Sequence, residues 1–202
     1  MHVRRRTGIL GGTFDPVHDG HLAIARGTLE LGSLDRVLLM PVGAPGHRET
    51  RAPAADRAAM VRLALEGSDP RLQFDDTALD QPAPAYTADT LALAHAAYPE
   101  DDLSFIAGAD SIAHSVWRRL DEVAALVEHF YIIPRRGSSW SDVETVIGSL
   151  EPSLRARFTP LDLAIPDISS SEIRTLVAGG HSIRGLVPRE VERYIERRGL
   201  YK

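Results

Sequence analysis

The stretch Gly11-Gly12-Thr13-Phe14-Asp15-Pro16-Val17-His18-Asp19-Gly20-His21 constrains this chain more than any other. It follows a strand-like run ending at Ile9-Leu10 and leads into Leu22-Ala23-Ile24-Ala25, which reads as a helix. A strand, a glycine turn and a helix start together make a seat for phosphate. The N–H groups of a first helical turn lack intrahelical partners, and the helix dipole adds partial positive charge at that end. Gly11 and Gly12 are expected to let the backbone turn tightly and approach a ligand closely. Pro16 stiffens the approach to the helix, and Asp19 is placed to act as its N-cap. His18 and His21, three residues apart, are expected to project to one side of that end. Either histidine alone reads as an ordinary packed or solvated side chain. The combination of glycine pair, threonine, Asp-Pro and two spaced imidazoles points to a phosphate site.

A second block, Ile168-Ser169-Ser170-Ser171-Glu172-Ile173-Arg174, stands far along the chain. The first stretch resembles the signature of the nucleotidyltransferase superfamily that carries a His-x-Gly-His motif. The second resembles that superfamily's C-terminal Ile-Ser-Ser-[Thr/Ser]-x-x-Arg motif. Order, spacing and length are most similar to bacterial nicotinate-nucleotide adenylyltransferases, from about Thr7 to Tyr201. Ser169 as N-cap and Glu172 three residues on satisfy a capping box, so those two need no ligand. The further hydroxyls and Arg174 are not explained that way. Hydroxyls and free N–H groups beside a guanidinium suit the β- and γ-phosphates of ATP.

Short apolar runs alternate with helix-like stretches, the pattern of an α/β fold: a Rossmann-like, doubly wound, mainly parallel sheet with helices on both faces. Strands are expected at Gly8–Leu10, Arg36–Met40, Leu72–Asp75, Leu103–Ile106, Phe130–Ile133 and Phe158–Thr159. Helices are expected at His21–Leu31, Ala54–Leu65, Thr87–Ala97, Leu120–Leu126, Trp140–Leu150, Ser170–Ala178 and Pro188–Arg197. The 202 residues read as one domain, with 165–202 a helical subregion that carries the second motif. Gly179-Gly180 closes one of its helices as a C-cap would. In such sheets ligands bind outside the carboxyl ends of the strands, which puts the Gly11 turn in the site. The net charge of −5 gives no default grip on nucleic acid or an anionic membrane. The absence of cysteine rules out disulfides and thiolate chemistry and fits a reducing compartment. No apolar run reaches membrane-spanning length, so a cytoplasmic protein is expected, with oligomeric state open.

Other segments fall at strand ends. The loop Pro41–Arg48 ends in His47 and Arg48, and Arg48 has the reach to hold a phosphate bidentately. In the resembled family this loop usually reads Pro-Pro-His-[Lys/Arg]; Gly46 departs from it and the charge is kept. Thr87 is a plausible N-cap for the helix that follows Tyr86. The resemblance implies that main-chain amides there receive a nicotinate carboxylate. Gly108 and Asp110 follow a further strand, where glycine admits a flat base and aspartate accepts from ribose hydroxyls. The resemblance gives Trp117 a stacking role on the pyridine ring, with Arg118 beside it. Arg135 or Arg136 offers another cation.

No serine–histidine–acid set or carboxylate pair announces a covalent nucleophile or a hydrolase. Phosphate-handling equipment recurs instead, and nucleotidyl transfer needs little beyond positioning and charge stabilisation. The resemblance implies adenylyl transfer from ATP to nicotinate mononucleotide, giving deamido-NAD and pyrophosphate. Thr13, His18, His21 and Arg174 are the catalytic candidates. ATP would also touch Gly11, Gly12, Phe14, Gly108, Asp110, Ile168, Ser169 and Ser170. The acceptor would meet His47, Arg48, Tyr86, Thr87, Asp110, Trp117, Arg118 and Arg135. Mg²⁺ would be carried on the phosphates without a dedicated protein cage. Nicotinamide mononucleotide and pantetheine phosphate are alternative acceptors, and a catalytically silent nucleotide-binding module is the alternative of another class.

Overall fold

The structure is a computed structural model that describes residues 4–45, 49–109, 119–134 and 140–202, with main chain only at 142 and 146. Six strands form one parallel sheet: β1 (Arg5–Gly12), β2 (Arg36–Pro41), β3 (Leu72–Phe74), β4 (Asp101–Gly108), β5 (His129–Ile133) and β6 (Phe158–Pro160), in the order β3-β2-β1-β4-β5-β6. The chain therefore winds outward from β1 in one direction and then resumes at β4 in the other. β1 and β4 flank the switch point, where the crossovers leave on opposite faces and open a crevice. The register pairs Gly11 with Met40 and Gly12 with Pro41 on one side of β1, and Ile9 with Phe105 on the other.

Alternation along each strand builds two cores. Leu10, Val37, Leu39 and Ile106 enter one cluster, while Ile9, Leu38, Met40, Leu103, Phe105 and Ala107 enter the other. Described helices number eight: α1 (Asp19–Leu31), α2 (Ala54–Leu65), α3 (Thr87–Ala97), α4 (Leu120–Leu126), α5 (Trp140–Ile147), α6 (Pro152–Arg155), α7 (Ser170–Ala178) and α8 (Arg189–Arg198). Residues of α1, α2, α7 and α8 share the first core, and those of α3, α4 and α5 share the second. Ile173, Val191 and Ile195 thus pack with Leu22 and Val61, so the C-terminal helices complete the same core. None of the described helices is long and apolar enough to cross a membrane.

The expected elements are all present, with ends that shift by a few residues. β1 and β4 extend beyond the apolar run, because central strands pair on both sides and ladder bonds hold polar ends too. The helix expected to run to Leu150 stops at Ile147, and a separate turn of helix, α6, follows with Pro152 at its first position. α7 closes on Gly180 at φ +69, with His181 N–H on the Leu176 carbonyl (2.8 Å) and Gly180 N–H on the Val177 carbonyl (3.0 Å). That is a Schellman closure, and glycine is required at the left-handed position.

Candidate active site at the carboxyl ends of the strands

The two glycines of the first motif do not make the turn expected of them. Gly11 and Gly12 are the last residues of β1, and neither is among the residues with positive φ. The chain turns at Phe14 instead, which takes φ +49. Gly12 is needed because the Phe14 ring folds back over it: a Cβ there would lie 2.9 Å from Phe14 Cζ. A Cβ on Gly11 would meet nothing within 4 Å, so its face is open to the crevice. Close approach by a ligand is therefore possible at Gly11, for the reason expected.

The cap of α1 also differs from expectation. His18, extended at φ −147, is the N-cap, and Asp19 is the first helical residue. His21 Nδ1 accepts the His18 N–H at 3.3 Å, so an imidazole plays the part that Glu or Gln plays in a capping box. That geometry favours the tautomer with the proton on Nε2, at the far side of the ring. The two imidazoles lie with centroids 3.8 Å apart, and Phe14 meets His21 edge-on at 5.0 Å. Gly20 makes this possible, since a Cβ would stand 3.0 Å from His18 Nδ1. The Asp19 N–H goes to the Leu186 carbonyl (3.0 Å), and burial holds its carboxyl above the usual range, partly offset by Arg26.

The second motif docks directly onto the first. Ser169 caps α7, its oxygen accepting the Glu172 N–H at 3.1 Å as expected. Ser170 Oγ donates to the Pro16 carbonyl at 2.9 Å, and Arg174 Nη1 donates to the Asp15 carbonyl at 2.7 Å. The starts of α1 and α7 therefore lie within one side chain's reach of each other, on the same turn. The hydroxyl proton of Ser170 is spent on Pro16, which leaves its main-chain N–H as its donor to any ligand. Ile168 is a core residue, 8 % exposed.

Asp15 sits at the centre of this turn, 4 % exposed. Its carboxylate accepts the N–H groups of Arg51 (2.7 Å) and Ala52 (3.1 Å) and the hydroxyl of Tyr201 (2.7 Å). Burial, then the Asp15 bond, pushes the Tyr201 phenol well above its usual value. Beneath it Arg57, 0 % exposed, donates to the carbonyls of Thr13 (2.6 Å), Val42 (2.7 Å), Gly43 (2.5 Å) and Ala52 (3.2 Å). Burial lowers its pKa, with the Asp15 charge acting the other way. Neither Arg57 nor Tyr201 was anticipated. Arg57 had a legible signal: it shares the i, i+3, i+4, i+7 face of α2 with Met60, Val61 and Ala64, where an apolar residue belongs.

The acceptor candidates are assembled only in part among the described residues. Tyr86, extended at φ −110, is the N-cap of α3, and Thr87 is its first helical residue. Thr87 therefore does not cap. The Ala85 N–H donates to the Ala44 carbonyl (3.0 Å) and Pro45 bridges Ala85, which brings the stem of the 42–52 loop against the start of α3. Gly108 ends β4, paired with Ile133. His47, Arg48, Asp110, Trp117, Arg118 and Arg135 lie outside the described residues.

The cytidylyltransferase-like family model matches residues 9–176. A Thermus thermophilus protein named "Probable nicotinate-nucleotide adenylyltransferase" is 40 % identical over 203 residues, covering 98 % of this chain and all of that one. A Symbiobacterium thermophilum protein of the same name is 38 % identical over 199 residues, covering 97 % and 95 %. Among solved structures, the Plasmodium falciparum nicotinic acid mononucleotide adenylyltransferase complexed with NaAD matches with a TM-score of 0.77 at 17 % identity, covering 98 % of each chain. At that identity the likeness speaks for the fold.

Proposed function

The chain belongs to the cytidylyltransferase-like family, and within it to the nicotinate-nucleotide adenylyltransferases; from this we infer that it transfers AMP from ATP to nicotinate mononucleotide, forming deamido-NAD and pyrophosphate in NAD biosynthesis. The observation that carries the reading is the docking of Arg174 and Ser170 on Asp15 and Pro16, which sets two helix starts side by side at the switch point. Two such starts and a guanidinium suit one long polyanion.

In the reaction an acceptor phosphate oxygen attacks the α-phosphorus of ATP. One P–O bond forms, the bond from the α-phosphorus to the bridging oxygen breaks, and pyrophosphate leaves. Main-chain N–H groups at the turn, Thr13, and the far nitrogens of His18 and His21 would steady the α-phosphate and the charge growing on the bridging oxygen. Ser169, the Ser170 N–H and the remaining donors of Arg174 would hold the leaving pyrophosphate. Gly11 and Gly108 would admit the nucleotide. Tyr86, Thr87 and the segments carrying His47, Arg48, Asp110, Trp117, Arg118 and Arg135 would receive the acceptor. No covalent enzyme intermediate is needed.

Among the described residues no cluster of three His, Cys, Asp or Glu side chains is arranged for a metal. Mg²⁺ held by phosphate oxygens and water, neutralising their charge, is the form that fits these residues. The whole chain acts as one domain in this reading, in the cytoplasm. Pyrophosphate release, measured with ATP and each of three acceptors, tests it. Release is expected with nicotinate mononucleotide, and far less with nicotinamide mononucleotide or pantetheine phosphate. Preference for either of those would change the acceptor, and no release with any would favour a silent module.

A further inference from the structure

Arg57 touches no solvent, so no ligand meets it, yet its guanidinium binds three separate stretches of backbone that line the site. Thr13 belongs to the phosphate turn after β1. Val42 and Gly43 form the outgoing stem of the loop after β2, and Ala52 the returning stem before α2. Each stretch has ties of its own: Arg174 and Ser170 hold the turn at Asp15 and Pro16, while the Gly43 N–H (3.2 Å) and the Ala44 carbonyl (3.0 Å) hold the outgoing stem to Ala78 and Ala85. Among the described residues two side chains join the turn to the stems: the Asp15 carboxylate, which reaches Arg51 and Ala52, and Arg57, which of the two reaches both stems. One main-chain bond, Val42 N–H to the Gly12 carbonyl at 3.0 Å, supplements them.

We propose that Arg57 is a positioning residue for adenylyl transfer, fixing the separation between the phosphate turn and the two stems of the loop after β2. ATP seated on the turn and an acceptor phosphate brought by the loop then meet in line. The proposal rests on the adenylyl-transfer reading above. Placement errors of about 1 Å in such a reaction cost about 10²-fold in rate. Charge alone does not do this work, because a lysine ammonium cannot span carbonyls that a planar fork reaches from several sides.

The test is steady-state kinetics of the Arg57→Lys and Arg57→Gln variants, beside binding of a non-hydrolysable ATP analogue. In both variants kcat is expected to fall about 10²-fold and the acceptor KM to rise about tenfold, while analogue affinity stays within about threefold. Full activity in Arg57→Lys would overturn the proposal. So would a loss of kcat with unchanged acceptor KM that merely tracks the unfolded fraction. A measurement on the unaltered protein covers variants that do not fold: tryptic cleavage after the exposed Arg51, with and without analogue. Coupling of the turn to the stems, through Arg57 and through the Asp15 carboxylate that accepts the Arg51 N–H, makes analogue alone slow that cleavage about threefold or more, and an unchanged rate would sink the idea. Should the unaltered protein release no pyrophosphate, the reaction assignment fails, and the cleavage result still decides the coupling.

Discussion

Two buried arginines sit at opposite ends of the sheet, and they meet different partners. At the amino end Arg36 donates to Asp101 Oδ2 (2.8 Å), Thr7 Oγ1 (2.9 Å) and Gln73 Oε1 (3.3 Å), with its guanidinium 4.4 Å from the Tyr98 ring centre. Its charge is cancelled by a carboxylate at contact. At the carboxyl end Arg57 binds only neutral carbonyls, and among the described residues it forms no ion pair. The Asp15 carboxylate acts on it from farther off while bound to other donors. A closed pair adds little field beyond itself, whereas a cation on carbonyls leaves positive potential in the crevice floor. One end of the sheet is a lock, and the other is the proposed seat for an anion.

Asp101→Ala breaks the lock and carries the largest expected effect. It leaves Arg36 buried without its partner, at a cost of about 3–5 kcal/mol in urea unfolding, with kcat/KM of the folded protein unchanged. Impaired kinetics there would erase the contrast between the ends. His21→Ala at the other end should lower kcat roughly 10²–10³-fold, about 2.7–4 kcal/mol, while unfolding loses only the cap bond to the His18 N–H, about 1 kcal/mol. A loss of only a few-fold would remove His21 from the chemistry.

Arg174→Ala should weaken ATP binding by about 1.5–3 kcal/mol, read by calorimetry, because a charged donor is lost from the anion seat. Ser170→Ala sharpens the comparison within the seat itself. Its hydroxyl serves Pro16, so stability should fall by about 1 kcal/mol while ATP affinity holds. A large loss of affinity would mean that the hydroxyl turns to phosphate when ATP binds.

The smallest effect appears only in alkali. Burial, then the bond to Asp75, raises the Tyr98 phenol to about 12 from 10.0. The folded state holds that proton more tightly, so the stabilisation is complete below pH 10 and is lost as pH climbs toward about 12. Tyr98→Phe should flatten, in part, the decline of unfolding free energy over that window. An unchanged slope would assign the decline to other groups, Tyr201 among them.

Most of the fold was legible because the signals were local. The apolar runs at Arg36–Met40 and Phe130–Ile133, each within one residue of the observed strand, and the boundaries of α2, α3, α4 and α7 follow from composition and period within each segment. Ser169 was legible as a cap because its partner Glu172 stands three residues away. The shifts of cap from Asp19 to His18 and from Thr87 to Tyr86 escaped propensity. At the first, His21 bonds back to the His18 N–H in place of the usual Glu or Gln. Gly12 was legible as special but its reason was not, since the Phe14 ring that excludes a Cβ folds over it only in three dimensions.

By itself, then, the sequence determined the α/β class, the places of the two motifs along the chain and the family that they mark, because each depends on neighbours within one turn of chain. Tertiary structure alone decided that Arg174 and Ser170 land on Asp15 and Pro16, 159 and 154 residues away. It also decided that Arg57 is buried beneath them and that Arg36 is paired with Asp101 while Arg57, among the described residues, forms no ion pair. Those are contacts between distant segments, and what selects them is the closing of a shared core around β1, which no local window of residues encodes.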